Sequence, residues 1–102
     1  MKLKIYSVED TLTAFLQPFY AENDEAAKRM FKNTINGEVP NIVKTNYKDM
    51  KLYRLGIFDD TIGCIEPDKD YLMNGIEAKE EGRQHVLFRE QQTENNSDAG
   101  NE

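Results

Sequence analysis

The sequence LYRLGIFDDTIG, residues 52–63, decides the fold. Its first half alternates in side-chain direction and is rich in aromatic and branched residues, which predicts a β-strand over about residues 51–58. Asp59 to Gly63 is typical of a tight hairpin turn, with Gly63 as the residue suited to a positive φ. Residues 64–66 then return as a second strand, which Pro67 is expected to end. The stretch therefore predicts an antiparallel strand pair.

The alternation also predicts which side of this strand is buried. Tyr53, Leu55 and Ile57 point one way and form the predicted core face, while Arg54 and its alternating neighbours point the other way. Gly56 in mid-strand indicates a bulge or the close approach of another backbone.

The chain before this stretch contains one strand and one helix. Residues 2–7 alternate, with Lys2, Lys4 and Tyr6 on one side, and predict a half-buried strand. The sequence predicts a helix over about residues 24–36, because Asn23 is a good N-cap and apolar residues recur at three- and four-residue steps. Asn36-Gly37 is expected to stop it in a left-handed conformation.

The connecting segments give weaker patterns. Pro18 breaks the near-helical spacing of residues 11–20, which predicts a loop or a short irregular strand ending at residues 18–21. Residues 39–49 are predicted to be a connection with a short extended piece at Ile42-Val43. Residues 70–73 suit either one turn of helix or a final edge strand.

The end of the chain differs in composition from the rest. Residues 76–89 are rich in helix-forming residues, although Gly82 interrupts them, and Val86-Leu87-Phe88 is a small apolar island. Residues 91–102 are polar and acidic, which predicts disorder. We therefore predict an α+β domain over residues 1–76, with one helix on a small, mostly antiparallel sheet, and a weakly ordered to disordered acidic tail over residues 77–102.

Length, charge and cysteine content limit the class of protein. The 102 residues suffice for one domain, and the net charge of −6 is concentrated in residues 77–102, where seven acidic and three basic residues give −4. The single cysteine excludes an intramolecular disulfide. With neither a signal peptide nor an apolar membrane span in the sequence, we expect a soluble protein of the cytoplasm.

Candidate catalytic and metal-binding residues are few. His85 is the single histidine, and it lies far in sequence from Cys64, which is expected to be a small core residue. Asp59 and Asp60 suit a turn better than a calcium loop. We therefore expect no enzyme, no metal and no cofactor.

Basic and aromatic residues alternate over a short stretch and form the most arguable functional surface. Aromatic rings on a sheet can stack bases, while Lys and Arg contact phosphates. The same residue types are also ordinary on an exposed strand, so a solvated surface without a ligand is the alternative. The predicted nucleic-acid-binding residues are Lys44, Tyr47, Lys48, Lys51 and Arg54.

Several segments resemble the small nonstructural protein of gokushoviruses, which are single-stranded DNA phages of the Microviridae. These segments are Met1 to Ser7, Pro18-Phe19-Tyr20-Ala21 with the helix that follows, and Leu52 to Gly56 with Phe58-Asp59-Asp60 and Gly63. The resemblance spans roughly residues 1–67 and carries no catalytic motif. It implies a protein made in the infected cell, absent from the virion, that assists genome replication or the synthesis and packaging of single-stranded DNA.

Two hypotheses follow. The first is a non-enzymatic accessory protein in the host cytoplasm that weakly binds single-stranded DNA or binds a phage or host replication protein. The second is a homo-oligomeric interaction module that binds a host or phage protein without DNA contact, because a small sheet has exposed edges that another chain can cover.

Overall fold

The computed structural model describes residues 1–82. Four antiparallel strands form one sheet in the order β2-β1-β3-β4. The strands are β1 (Lys2–Asp10), β2 (Phe19–Ala21), β3 (Met50–Asp59) and β4 (Cys64–Asn74). The helices are α1 (Asp24–Asn36) and the short α2 (Ile42–Thr45), and Tyr47–Asp49 is a 3₁₀ turn. Residues 75–82 are also helical. The predicted α+β class is confirmed.

Helix α1 has the predicted bounds and lies on one face of the sheet. The Asn23 side chain caps it by accepting a hydrogen bond from the backbone N–H of Ala26 at 2.8 Å. Ala27, Phe31 and Ile35 form its buried stripe. The predicted left-handed stop is wrong, because Gly37 has φ −71°.

The core lies between α1 and the sheet, and the predicted buried side of β3 is wrong. Met50 and Leu52 are fully buried against α1, whereas Tyr53, Leu55 and Ile57 are half-buried. Both sides of β3 carry large apolar residues, so alternation alone does not say which side meets the helix. The bulge that shifts the β1–β3 register beside Gly56 also interrupts the simple alternation.

The first strand is longer than predicted. It extends to Asp10, and both Tyr6 and Val8 are buried under α1. Tyr6 is predicted to share one side of this strand with Lys2 and Lys4. The grouping is geometrically correct, but that side faces the helix, and the lysines lie toward its margin.

The last strand differs most from its prediction. It was predicted to end at residue 66 but continues through Pro67 to Asn74. β4 is an edge strand, where proline is tolerated because one side of the strand needs no ladder hydrogen bonds. Residues 70–73 are therefore strand, which settles the two alternatives that the sequence allowed.

Two further segments differ from the prediction. Ile42-Val43 begins α2 and is not extended, because the Asn41 side chain caps a helical turn by accepting from the Lys44 N–H at 2.8 Å. The boundary predicted at residue 76 falls within the helical residues 75–82, where Ala78 is fully buried in the core. The Asn36 side chain ties this helix to α1 by donating to the Ala78 carbonyl at 3.0 Å.

The predictions for the two glycines of the hairpin are confirmed. Gly63 has φ +69° in the turn. A Cβ on Gly56 would lie 2.5 Å from the Glu66 carbonyl oxygen, so β3 and β4 approach here more closely than an alanine would allow.

Some predictions concern residues beyond the described range. The tail predicted to be disordered, His85 and Val86-Leu87-Phe88 lie outside the described residues, apart from residues 77–82. None of the helices within residues 1–82 has the length and apolar character of a membrane-spanning helix.

Burial under α1 makes Leu52 a test of the corrected core. Leu52→Ala should lower the free energy of unfolding by about 2–5 kcal/mol, because the side chain is 0% exposed and its loss leaves a cavity. Leu12→Ala is the matched control: its side chain is 76% exposed, and the change should stay within about 0.5 kcal/mol. Urea unfolding measures both, and equal effects would contradict this core assignment.

Candidate functional site: an aromatic cluster on the open sheet face

The two faces of the sheet are different surfaces. One is covered by α1. The other, here called the open face, carries no helix within residues 1–82. Apolar and aromatic side chains of all four strands lie on it, and several of them, including Tyr20, Ile65 and Tyr71, are exposed. The open-face residues include Leu3, Ile5, Glu9, Tyr20, Lys51, Tyr53, Phe58, Ile65, Lys69 and Tyr71.

Three aromatic rings meet on the open face and form the aromatic cluster. Phe15, from the loop after β1, packs edge-on against Tyr53 with 5.5 Å between ring centroids. Tyr53 in turn meets Tyr71 of β4 edge-on at 5.7 Å. The Lys69 ammonium lies 5.0 Å from the Phe15 centroid and 5.2 Å from that of Tyr53, in cation–π geometry. The cluster therefore combines exposed rings with a positive charge.

Tyr71 is the outermost ring of the cluster and is 44% exposed. Its hydroxyl donates a hydrogen bond to Glu77 Oε1 at 3.2 Å, in the helix that follows β4. Partial burial and the neighbouring Glu77 carboxylate raise the pKa of Tyr71, so its hydroxyl stays neutral at physiological pH. The ring is thus held in place while one part of it stays accessible to solvent.

An apolar groove of about 330 Å³ lies at the other end of the open face. It is lined by Ile5, Pro18, Phe19, Tyr20, Leu55, Gly56 and Ile65. A groove of this composition suits an apolar side chain better than a nucleobase, whose polar edges would lose hydrogen bonds to water without replacement.

Arg54 lies on the opposite face, in a network of three carboxylates. Its Nη1 lies 2.6 Å from Asp24 Oδ2, its Nε 3.1 Å from Asp68 Oδ2 and its Nη2 3.6 Å from Asp70 Oδ2. The side chain is 16% exposed. Tyr6 completes the network, because its hydroxyl donates a hydrogen bond to Asp24 Oδ1 at 2.8 Å. Arg54 is therefore neutralised by the protein and lies on the face that contacts α1.

The network also sets the charge of Asp24. Burial alone raises the pKa of the Asp24 carboxyl, but the hydrogen bond from Tyr6 and the hydrogen bond and charge of Arg54 outweigh it and hold the pKa below its usual 3.8. Burial and the bond to Asp24 raise the pKa of Tyr6 in return.

The predicted binding residues do not share one surface. The Lys44 ammonium donates a hydrogen bond to the Gly37 carbonyl and stabilises the end of α1. Tyr47 is half-buried against the core, with the Lys79 ammonium 5.7 Å from its ring centroid. Lys48 is exposed on the 3₁₀ turn.

Lys51 is the predicted residue that lies on the open face. It precedes the buried Leu52 on β3, so its side chain points away from α1, as that of Tyr53 does. Its cross-strand partners are Glu9 on β1 and Asn74 on β4. Lys51 and Arg54 are thus three residues apart in sequence but on opposite faces of the sheet.

Phe15, Lys69 and Tyr71 are not among the site residues predicted from the sequence. Residues 65, 67, 69 and 71 alternate with the acids at 66, 68 and 70, which is a strand signal. Pro67 conceals this signal, because proline usually marks the end of a strand. Phe15 gave no local signal, since a loop positions it.

Other candidate residues have structural roles. Asp59 Oδ1 accepts the Thr61 N–H at 3.0 Å, and Asp60 lies 2.7 Å from the N-terminal ammonium, so both act in the turn as predicted. Cys64 is exposed, which corrects its predicted place in the core. Within residues 1–82, no group of three or more His, Cys, Asp or Glu side chains could hold a metal ion.

The structure thus defines a small α+β domain with one covered and one open sheet face. The chain matches the family model described as "Phage ORF5 protein" over residues 3–78. Because this match covers more than half of the 102 residues, the chain belongs to the phage ORF5 protein family. The phage origin that the resemblance implied is confirmed. No curated protein and no solved structure matches it.

The lowered pKa of Asp24 predicts an acid-sensitive contribution to stability. Because its folded pKa lies below the unfolded value of 3.8, the ionised carboxylate stabilises the fold above that value, and the contribution is lost as pH falls through the folded pKa. At pH 7, Asp24→Asn should lower the free energy of unfolding by about 1–3 kcal/mol, the usual effect of losing a charged hydrogen-bond partner.

Urea unfolding of wild type and Asp24→Asn from pH 7 downward tests this. The gap between the two proteins should narrow below about pH 4, as the wild-type carboxyl becomes protonated. Glu25→Gln is the matched control from the same helical turn, since its carboxylate is 80% exposed and should contribute little. A gap that stays constant with pH would contradict the proposed role of the charge.

Proposed function

We propose that this phage protein is a nonstructural accessory protein of the gokushovirus type, which acts in genome replication or single-stranded DNA production in the host cytoplasm. It works by binding, without enzymatic chemistry. Its ligand is single-stranded DNA, bound weakly on the open face. The family membership and the resemblance in residues 1–67 support the phage role, and the aromatic cluster supports the ligand.

The aromatic cluster is the observation that carries this proposal. Proteins that bind single strands without strong sequence preference stack bases on aromatic rings and contact phosphates with Lys or Arg. Phe15 and Tyr71 offer exposed ring surface, and Lys69 lies against the cluster with a free ammonium to meet a phosphate. No ion pair to Lys69 occurs within residues 1–82.

The distribution of charge on β4 supports the same ligand. Asp68 and Asp70 point to the α1 side and contact Arg54, and Glu66 shares their side by alternation. Lys69 points to the open face, where Lys51 also lies. The open face is therefore less acidic than the net charge of −6 implies, although Glu9 lies opposite Lys51 and the Glu77 carboxylate contacts Tyr71.

The binding set proposed from the sequence changes accordingly. Lys51 stays in it and is joined by Phe15, Tyr53, Lys69 and Tyr71. Lys44 and Arg54 already have protein partners, and Tyr47 packs against the core, so these three are not assigned to the DNA surface.

The apolar groove favours a second candidate function. Burial of one apolar anchor in a groove is how many protein interfaces gain affinity, so the groove supports binding of a replication protein or of a second copy of the chain. Light scattering after gel filtration shows whether a second copy of the chain binds there. A dimer that Ile65→Asp converts to a monomer would favour the homo-oligomeric module, and a monomer in both forms would argue against it.

Fluorescence anisotropy with a labelled single-stranded oligonucleotide tests the DNA proposal. Affinity should fall steeply with salt, because phosphate contacts release counterions. Tyr71→Ala should weaken binding on the order of tenfold, whereas Tyr71→Phe, which keeps the ring and loses the bond to Glu77, should bind nearly as well as wild type.

A pair of lysines serves as the matched control. Lys69→Gln should reduce affinity and lower the salt slope by about one. Lys48→Gln removes a charge that is also exposed, on the 3₁₀ turn, and should have a smaller effect. Absence of binding at low salt and tens of micromolar protein would contradict the DNA proposal. Equal effects of the two lysine substitutions would mean that DNA does not bind preferentially at the open face.

A further inference from the structure

We propose that the outer edge of β4 takes up an extended segment of a partner protein as an added strand, and that this segment carries Lys or Arg at every second position. The basic side chains of the partner face the acidic side of β4, which is formed by Glu66, Asp68 and Asp70. This interaction goes beyond the proposed function and does not rest on DNA binding.

The outer edge of β4 is long and accessible. β4 is the last strand in the order β2-β1-β3-β4, it runs for 11 residues, and residues 64–71 are all exposed. Within residues 1–82 no strand pairs with its outer side. The backbone N–H and C=O groups that point outward can therefore pair with another chain. The opposite edge is β2, whose 3 residues offer a much shorter ladder.

The acidic side chains of β4 determine which partner strand fits. Asp68 and Asp70 pair with Arg54 of β3, on the inner side of β4, but their side chains remain 47% and 59% exposed. A strand added on the outer side reaches the same carboxylates from the opposite direction. Because side chains on one face recur at every second residue, cations at alternate positions of the partner form cross-strand pairs with these acids.

The charge balance at this edge leaves carboxylates for a partner. One guanidinium, that of Arg54, faces the three carboxylates of the network. Glu66 has no ion pair within residues 1–82. Lys4, whose charge also reaches Asp24, lies on β1 and is separated from β4 by β3. Lys69 lies on the other face, against the aromatic cluster. The covered side of β4 therefore carries an excess of negative charge.

A second copy of the chain does not suit this edge. In an antiparallel pair of two β4 strands related by a twofold axis, residues on the same face stand opposite each other. Every register centred on a residue from 66 to 70 then sets one of the three acids opposite itself or another of them. Like charges directly opposite are destabilising. The acids thus select a basic partner and disfavour self-pairing.

The other side of the added strand meets a less polar surface. Its remaining side chains lie beside Ile65, Pro67 and Tyr71 on the open face, which suits apolar β-branched residues. Pro67 has no N–H, so the added strand lacks one hydrogen bond at that point. The preferred partner segment therefore alternates basic and apolar residues.

A synthetic peptide, Ac-Thr-Lys-Val-Lys-Val-Lys-Thr-NH2, tests the pairing with the full-length protein in the absence of DNA. The amide NMR signals of Ile65, Lys69 and Tyr71 should shift saturably as peptide is added, and that of Tyr20 on β2 should not. The matched control, Ac-Thr-Lys-Lys-Lys-Val-Val-Thr-NH2, has the same composition. It should bind several-fold more weakly, because its lysines cannot all face one side of a strand.

Two variants at Lys69 separate backbone pairing from charge. Pro67 fits an edge strand because its nitrogen faces outward, and Lys69 lies two residues on with its side chain on the same face, so we expect its N–H to face outward too. Lys69→Pro should abolish peptide binding. Lys69→Gln keeps the N–H and removes a cation, and it should bind the basic peptide at least as well as wild type does.

Glu66→Gln tests the charge pairing outside the Arg54 network, and it serves even where Lys69→Pro does not fold. It should weaken peptide binding about two- to fivefold, the effect expected for one cross-strand ion pair. Glu38→Gln is the matched control, since Glu38 is exposed on the loop after α1 and the substitution has the same effect on net charge. It should leave peptide binding nearly unchanged.

The outcomes separate this inference from the DNA proposal. Equal binding of the two peptides, or equal effects of Glu66→Gln and Glu38→Gln, would overturn strand addition, because attraction to a protein of net charge −6 would then explain the binding. Shifts centred on another surface, or none at millimolar peptide, would overturn it even when DNA binds. Selective peptide binding by a protein that does not bind DNA supports this inference and contradicts the DNA proposal.

Discussion

One arginine determines how charge is distributed in this protein. On the covered face of the sheet, Arg54 forms ion pairs with Asp24 of α1 and with Asp68 and Asp70 of β4. Tyr6 donates a hydrogen bond to Asp24. The largely buried Arg54 guanidinium is stable because carboxylates pair with it and accept its hydrogen bonds. The network thus joins α1 to the three strands β1, β3 and β4, and places the acids of β4 on the side of the sheet that meets α1.

The open face follows from that arrangement. Once the acids of β4 face α1, strict alternation turns Lys69 and Tyr71 to the other side, where they meet Tyr53 and Phe15. The same face carries an apolar groove at its far end. The aromatic cluster and the groove differ in chemistry, so one sheet face offers a surface for nucleic acid beside a surface for an apolar anchor.

Local signals predicted the parts of the fold that depend on neighbouring residues. The bounds of α1, its cap at Asn23 and the hairpin turn at Gly63 depend on contacts within a few residues, and all three were predicted. The buried side of β3 and the length of β4 depend on where helix and strands meet. The candidate site was predicted poorly for the same reason: Lys51 and Arg54 are close in sequence, but the fold separates them.

The sequence by itself determined the α+β class, the helix α1 and the hairpin, because periodicity, capping residues and turn residues act locally. Similarity over residues 3–78, rather than any local pattern, places the chain in a phage family. The tertiary structure alone decided that Arg54 is enclosed by carboxylates, that β4 continues past Pro67, and that Phe15, Tyr53, Lys69 and Tyr71 share one surface. The physical reason is strand pairing: it joins residues far apart in the chain, and its bulges fix which face of the sheet each side chain occupies.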